Sequence, residues 1–360
     1  MSRSSPSIAR GRMVATPHPP QGAGVRRAQT GDRTRILDLM RISLGKGVIP
    51  RSEAFWEWKH ERNPFGASPV LIAEMEGELA GLRAFLRWTW RSGAQDVTAV
   101  RAVDTATHPE HRGQGIFKWL TLQLRDEMEA EGVGLVYNTP NAQSRPGYLK
   151  MGWALVGKPA LWVRPVRPVR LAKALRAEGL QGEEASPPEI AAPRASAALA
   201  DARIADIVQA ASSTPTRRAY HTEPRLDVMR WRYAEIPGFE YAVLTRGEGT
   251  DGAVAVVRSR QRGAVRELRV CELLVGSGRG ARVNARRVLR DAAQCADVDV
   301  VIALPPAWIG ARRALAASGF MPVPRSGPVL TVHPLHLSGA APNPIRLQSW
   351  RPSIGDLELF

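Results

Sequence analysis

The sequence is poor in residues that build metal centres and cross-links, with two cysteines and seven histidines among 360 residues. Cys271 and Cys295 stand far from any histidine spacing typical of metal sites, so we expect two free thiols and no bound metal. Runs of about 18 apolar residues are absent, and the N-terminal region lacks the apolar stretch of a signal peptide. These absences favour a cytoplasmic protein without a membrane partner.

Aromatic residues are also scarce, at 6%, whereas basic residues are in excess. There are 50 Lys and Arg against 34 Asp and Glu, which gives a net charge of +16. The arginines are scattered, and no basic segment is interleaved with aromatic residues in the way of RNA-binding modules. We therefore interpret the charge as compositional and do not expect a nucleic-acid partner. A positive surface would still steer an anionic small ligand toward the protein.

The length of the chain and shifts in its composition predict two domains. Residues 1–24 are rich in Ser, Pro, Gly and Arg, and we expect a disordered arm. A first folded domain spans 25–165, and a linker rich in Pro, Ala, Arg and Glu spans 166–200. A second domain spans 201–335. The tail 336–360 ends in apolar residues, so we expect it to dock on one of the domains.

Apolar periodicity places helices and strands in the first domain. Their succession predicts an α/β (α+β) fold. The predicted elements are a helix over 30–44, strands over 69–74 and 79–90, a second hairpin closing at Ser92-Gly93 and continuing through 97–107, a helix over 115–130, a strand over 134–138, a short helix, and a closing strand over 160–163.

Three features recur in the same order in both halves of the chain, which predicts a duplicated domain. They are Trp58 and Trp231, each six residues before a proline; the Arg-Gly pairs at Arg112 and Arg279; and the Gly-aromatic pairs Gly152-Trp153 and Gly319-Phe320, each 40 residues after its Arg-Gly pair.

The most informative segment is Val103–Phe117, where an alternating strand pattern runs into His108-Pro109, then Arg112-Gly-Gln-Gly115 and a helix. The amides of such a loop point into one small volume, and the helix dipole favours negative charge there. Glycines let the backbone approach a phosphate closely, and Arg112 adds a charged donor. This pattern predicts a phosphate or pyrophosphate ligand.

Downstream, Asn141 is followed by Tyr148 and by Gly152-Trp153. Together with the loop, this spacing resembles the GNAT acyltransferase superfamily over about residues 25–165. The chain departs from the family at Phe117, where a small residue is usual. The resemblance implies a mixed, mostly antiparallel sheet flanked by helices, with a splay between two central strands. It also implies acetyl-CoA as cosubstrate and direct attack of an amine on its thioester.

The resemblance further implies roles for individual residues. Tyr148 would be the general acid for the leaving thiolate, which suits the ordinary pKa of about 10 of a tyrosine. The residues implied to hold the cosubstrate are Ala106 and Thr107 on the strand, Arg112, Gly113, Gln114, Gly115, Ile116 and Phe117 in the loop, and Asn141.

A general base is needed because amines are protonated near neutral pH. Asp104 is the nearest carboxylate; it could equally be a strand-end residue that bonds to backbone amides. His108 is a second candidate, and Glu53 or Glu57 could reach in from a lid. The aromatic run that ends in Trp58 could be that lid, but the matching Trp231 favours a structural role for Trp58.

The second half lacks this chemistry. Arg282 stands where the second loop glycine should recur, and no counterpart of Asn141 and Tyr148 precedes Gly319. We predict a degenerate GNAT-like domain that packs on the first and shapes the acceptor site. The segment Gly276–Gly280 could still bind an anion.

Three functions remain open. The leading one is an N-acetyltransferase that transfers an acyl group from acetyl-CoA to the primary amine of a small molecule. The second is a tandem transferase that uses aminoacyl-tRNA, against which the intact loop argues. The third is a binding protein that has lost catalysis. The motifs fix neither the acceptor, the acyl chain length nor the oligomeric state.

Overall fold

The computed structural model describes residues 14–45, 50–177, 186–213, 216 and 218–358. Residues 1–13 of the predicted arm, 178–185 of the linker and 359–360 of the tail lie outside the described residues. The strands are β1 (Ala23–Arg27), β2 (Val70–Met75), β3 (Glu78–Ser92), β4 (Gln95–Thr107), β5 (Leu135–Asn138), β6 (Ala154–Gly157), β7 (Leu161–Pro165), β8 (Ala242–Arg246), β9 (Ala253–Arg262), β10 (Val265–Val275), β11 (Val300–Ala303), β12 (Met321–Val323) and β13 (Leu330–Pro334).

Helices flank these strands throughout both halves. None of the helices in the described part of the chain is long and apolar enough to cross a bilayer. They are α1 (Arg33–Leu44), α2 (Glu53–Trp56), α3 (Ile116–Ala130), α4 (Arg145–Lys150), α5 (Pro168–Ala177), α6 (Ala195–Ala198), α7 (Ala202–Ser212), α8 (Leu226–Met229), α9 (Ala281–Ala292), α10 (Ile309–Ala317) and α11 (Ile354–Leu357).

The strands form two sheets with the same architecture. The first has the order β1-β2-β3-β4-β5-β13-β6, and the second has the order β8-β9-β10-β11-β7-β12. Apart from the extra β1, the two orders correspond strand by strand. Among the described strands, each sheet has one parallel pair, which joins its central strands, β4 with β5 and β10 with β11. The predicted fold of two mixed, mostly antiparallel sheets with flanking helices is confirmed.

The two halves exchange one strand each. The strand predicted over 160–163 to close the first half is observed as Leu161–Pro165, and it pairs instead with β11 and β12 in the second sheet. Leu330–Pro334 takes the equivalent place in the first sheet, between β5 and β6. Both segments have the sequence Leu-x-Val-x-Pro. Local pattern identifies each as a strand, but the two slots are alike, so the pattern cannot say which sheet a strand joins.

The central hairpin of the first half places the loop that follows it. β3 and β4 pair from Ser92 and Gln95 at the turn to Gly81 and Thr107 at the far end. There α3 lies close to the sheet, because a Cβ on Gly81 would come within 2.4 Å of Ile116 Cγ2. Glycine at position 81 therefore lets the start of α3 rest directly on β3.

A pair of tryptophans joins the halves. Each of the short helices α2 and α8 continues into a π-helical turn, Glu57–Glu61 and Arg230–Ala234. The indoles of Trp58 and Trp231, one in each turn, stack with centroids 5.0 Å apart. Both belong to the core that the two halves share, as the structural interpretation of Trp58 predicted.

Parts of both chain ends also pack on the fold. The backbone carbonyl of Val14 accepts a hydrogen bond from Arg125 in α3, and the Thr16 hydroxyl donates to Asp126. Near the other end, α11 is buried against β10. The tail therefore docks on the folded part of the chain, as its apolar composition predicted.

Candidate active site

The glycine loop leads directly from β4 into α3. A single turn at Pro109–His111 follows the strand, and then Gly113 and Gly115 adopt left-handed conformations with φ of 81° and 84°. Side-chain-bearing residues rarely adopt these angles, so the conformation itself requires glycine here. A Cβ on either glycine would meet no atom within 4 Å, so the outer side of the loop is open.

The amides of this loop are available to a ligand. Within the described part of the chain, no backbone carbonyl accepts from Gly113, Gln114 or Gly115. They precede a helix of 15 residues, whose N-terminus favours negative charge. Arg112 is exposed and donates to the Ser43 carbonyl at 2.8 Å, which ties the loop to the end of α1. This arrangement fits a pyrophosphate.

The two parallel strands of the first sheet separate just before the loop. Pairing between β4 and β5 ends at Arg101 and Tyr137, whereas β4 continues to Thr107. From Ala102 onward, the edge of β4 on that side has no strand partner among the described residues. Ala106 and Thr107, predicted to pair with an amide-bearing arm of the cosubstrate, lie on this open edge next to the loop.

Asn141 caps the turn that leads into α4. Its Oδ1 accepts from the Ser144 amide at 2.9 Å and from the Ser144 hydroxyl at 3.0 Å. The side chain is exposed, and its amide nitrogen has no partner among the described residues. Loop capping therefore accounts for the oxygen, while the nitrogen stays available as a donor. The predicted contact between Asn141 and a cosubstrate remains a prediction.

Tyr148 lies in α4 with a buried ring and a single strong hydrogen bond. Its phenol oxygen accepts from Arg83 Nη2 at 2.6 Å. The ring of Phe117 lies edge-on to it, with centroids 5.7 Å apart, and Trp153 packs on it at 5.4 Å. The family's usual small residue at position 117 is thus replaced by a ring that covers the tyrosine. The loop and the predicted general acid are in direct contact.

Asp104 is not a free carboxylate. Its Oδ2 lies 2.7 Å from Lys59 Nζ and 2.8 Å from His60 Nε2. Burial alone would raise the pKa of Asp104, but the Lys59 ammonium and the His60 bond outweigh burial and hold that pKa well below its usual range. A carboxylate in this state is a weak base. The geometry therefore favours a role in which Asp104 orients His60 over the predicted role as proton acceptor.

His60, unlike Asp104, is suited to accept a proton. Burial lowers its pKa, so the imidazole is neutral at pH 7. Because Asp104 Oδ2 is an acceptor, Nε2 carries the hydrogen, and Nδ1 is left as a proton acceptor. Nδ1 is buried and has no hydrogen-bond partner among the described residues. The other base candidates are less suited: His108 begins the turn before the loop, and Glu57 pairs with Arg62.

Sequence reasoning missed Arg83, Lys59 and His60. A signal existed for Arg83, since it is a charged residue inside the otherwise apolar run Leu82–Leu86 of a strand. The turn that carries Lys59 and His60 lies far from Asp104 in the sequence, so only the fold reveals their contact with it.

The second half repeats this layout with the chemistry removed. Tyr233, two residues after Trp231, donates to Glu272 on β10 at 2.7 Å, as His60 pairs with Asp104 on β4. In the loop before α9, the Asp251 carboxylate accepts from the Gly280 amide at 2.7 Å. A Cβ on Gly278 would lie 2.1 Å from that carboxylate. Asp251 therefore occupies the space that an anion would need, and the hypothesis of an anion site at Gly276–Gly280 has no support.

The C-terminal tail lies between the two halves. Arg101, at the point where β4 and β5 separate, donates to the carbonyls of Asp356, Leu357 and Glu358 at 2.8 to 3.1 Å. Arg232 of the second half also donates to the Glu358 carbonyl. A small cavity of about 10 Å³ remains among Lys59, Arg101, Arg232 and their neighbours, which is room for about one water molecule.

A splayed sheet with a glycine loop at its open edge defines a GNAT-type fold, and the comparisons agree. Residues 24–156 match the family described as acetyltransferase (GNAT) domain. Residues 24–156 therefore belong to a GNAT domain, which is accompanied by a second sheet of the same architecture. A comparison with curated proteins finds no match.

Solved structures match over both halves. The chain is similar to a protein of unknown function from Enterococcus faecalis V583, described as a probable N-acyltransferase, with 11% identity, a TM-score of 0.61 and coverage of 88% of this chain and 74% of that one. A GCN5-related N-acetyltransferase from Anabaena variabilis matches with 13% identity, a TM-score of 0.56 and coverage of 86% and 72%. One from Kribbella flavida matches with 15% identity, a TM-score of 0.53 and coverage of 88% and 72%. At these identities the likeness supports the tandem fold.

Proposed function

We propose that the protein is an acyl-CoA-dependent N-acyltransferase that transfers an acetyl group to the primary amine of a small molecule. The observation that carries the proposal is the open edge of β4 ending in a loop of two left-handed glycines at the start of α3. This arrangement suits an extended ligand with a pyrophosphate at one end, which is the shape of CoA.

The residues present fit that ligand. The unpaired amides of 113–115 and the Arg112 guanidinium would hold the pyrophosphate. The edge around Ala106 and Thr107 would bind the amide-bearing arm, and Asn141 Nδ2 would add a donor. When bound, acyl-CoA supplies an activated acyl group as a thioester. The protein's task is then to orient an amine, accept its proton and supply a proton to the sulfur.

We assign proton donation to Tyr148 and proton acceptance to His60. Tyr148 lies behind the loop with its oxygen fixed by Arg83, so its hydroxyl hydrogen can go to the departing sulfur. Asp104 holds His60 in the tautomer whose Nδ1 can accept a proton from the attacking amine.

The test is calorimetric titration of the protein with acetyl-CoA, with ATP as comparator. We expect acetyl-CoA to bind more tightly than ATP, and Gly115→Asp to abolish binding because a carboxylate would stand at the pyrophosphate. Gly132→Asp is the matched control, since Gly132 lies just beyond the other end of the same helix, with φ of 79° and equally open surroundings.

The three possible binding results lead to different conclusions about the cosubstrate site. Loss of binding in Gly115→Asp but not in Gly132→Asp supports the cosubstrate site and leads to a screen of amines. Equal binding by Gly115→Asp and the wild type would show that the loop is not the site. No binding by the wild type would overturn the proposal and favour a transferase that depends on aminoacyl-tRNA.

A further inference from the structure

Arg83 is a buried cation without a counter-ion. Its side chain on β3 is fully buried, yet no carboxylate pairs with it among the described residues. Lys59, by contrast, pairs with Asp104, and Arg101 donates to three carbonyls of the tail. A buried charge is costly unless it is paired, so an unpaired one inside a candidate active site points to a function.

Three aromatic rings lie close to the Arg83 guanidinium. The guanidinium carbon lies 4.9 Å from the ring centroid of Phe85, 5.8 Å from that of Phe117 and 5.5 Å from that of Tyr148. Nη2 donates to the Tyr148 oxygen at 2.6 Å, while Nη1 makes only a long contact of 3.3 Å with a β4 carbonyl. Nε has no partner. The phenol is therefore the main polar group that this cation serves.

The chemistry of the pair is directional. A guanidinium can only donate hydrogen bonds, so the Tyr148 oxygen must be the acceptor, and its own hydrogen must point elsewhere. No acceptor for that hydrogen exists among the described residues. If the hydroxyl gives up its proton, the resulting phenolate faces a positive charge in a buried setting, where such attraction is strong. The ring of Phe117 lies against both members of the pair.

We propose that Arg83 is a positioning residue for proton donation by Tyr148; this inference rests on the proposed function. As the N–C bond to the amine forms and the C–S bond breaks, Tyr148 gives its phenolic proton to the departing thiolate sulfur. The proton lost by the amine goes to the base, and the phenolate stays paired with Arg83 until it is reprotonated from water. Arg83 thus fixes the direction of the hydroxyl and stabilises its conjugate base.

Arg83→Met separates this role from a structural one. Methionine has a similar length and no charge, and replacing an unpaired buried charge with an apolar side chain is commonly neutral or stabilising. We expect the thermal unfolding midpoint to be unchanged or raised. At the same time, kcat with acetyl-CoA falls about 10- to 100-fold with little change in KM, because the effect is on the transition state. Arg83→Lys, which keeps the charge, restores part of kcat.

Comparing thioesters with different leaving groups distinguishes a role in proton donation from a role in packing. An aryl thiolate departs without needing a proton, whereas an alkyl thiolate does need one. The loss of kcat/KM in Arg83→Met should therefore be large with the acetyl thioester of N-acetylcysteamine and small with phenyl thioacetate. Tyr148→Phe should show the same pattern. Adding Arg83→Met to Tyr148→Phe should cost little more, since both act on one proton transfer.

The outcomes distinguish a failure of the inference on Arg83 from a failure of the proposed function. If wild-type protein binds acetyl-CoA and acylates an amine, but Arg83→Met loses activity equally with both thioesters or additively with Tyr148→Phe, the inference on Arg83 is wrong and the proposed function stands. If Arg83→Met fails to fold, Arg83→Lys and Tyr148→Phe still give the leaving-group comparison. If the wild type neither binds nor uses acetyl-CoA, the proposed function fails first.

Discussion

Trp58 and Trp231 donate to each other's backbone. The indole N–H of Trp58 donates to the Trp231 carbonyl at 2.6 Å, and that of Trp231 donates to the Trp58 carbonyl at 2.8 Å. The two residues occupy matching places in the two halves, so the contact is reciprocal in the manner of a symmetric dimer interface. The duplication that the sequence predicts is thus visible as an internal pseudo-twofold relation.

This relation predicts that the two tryptophans contribute equally to the stability of the protein. Trp58→Phe and Trp231→Phe keep an aromatic ring but remove one N–H donor each, so each should lower the free energy of unfolding by about 1 to 2 kcal/mol. Urea unfolding measures both. Trp56→Phe is the control, because Trp56 is buried nearby and its N–H makes no hydrogen bond among the described residues. Clearly unequal losses in the two variants would contradict the equivalence.

The assignment of His60 as base predicts the pH dependence of the rate. Burial and the nearby Lys59 ammonium lower the pKa of His60, whereas Asp104 and Glu61 act in the other direction, and the net shift is downward. The acidic limb of kcat/KM should therefore lie below pH 6.5, the ordinary value for histidine. His60→Gln should lower kcat/KM about 100-fold and remove that limb.

His108→Gln is the control for this experiment, because His108 lies in the turn before the loop and was itself a candidate base. It should retain the acidic limb. The limb set by protonation of the amine acceptor is common to all variants and does not affect the comparison. If His60→Gln keeps the wild-type profile, proton acceptance belongs to another group, and Asp104 returns as a candidate.

The titration of the Glu272 side chain predicts how the stability of the protein changes with pH. Burial beneath the tail raises the pKa of Glu272, and the neighbouring Asp356 carboxylate raises it further. The hydrogen bonds that Ser353 and Tyr233 donate to Glu272 lower the pKa, but the net effect is a rise to about 8. The folded state therefore binds this proton more tightly than the unfolded state. Its stabilising effect is complete below about pH 4.5 and is lost as pH rises through about 8.

Glu272→Gln should flatten that dependence, because a glutamine can still accept from Tyr233 and Ser353 but does not titrate. The free energy of unfolding, measured by urea at several pH values from 5 to 9, should fall with pH in the wild type and change less in the variant. Glu235→Gln, at an exposed carboxylate in the same half, should follow the wild type. A variant slope equal to that of the wild type would show that Glu272 is not the group responsible.

Local pattern predicted much of the first half. The alternating strands, the turn at Ser92-Gly93 and the loop before α3 were all visible in the sequence, because each depends on neighbouring residues. The repeated tryptophans revealed the second half. What local pattern could not reveal was the exchange of β7 and β13, because both strands fit either slot. It also could not reveal the contacts of Asp104 with Lys59 and His60, which depend on the packing of distant segments.

The exchanged strands have a consequence for synthesis on the ribosome. Each half lacks an inner strand of its own sheet: β13, placed between β5 and β6, is made long after the rest of the first sheet. Domains of tandem proteins commonly fold one after the other as the chain emerges. Here the first sheet cannot close until Pro334 has been translated, so β5 and β6 must wait as unpaired edges that another nascent chain could capture.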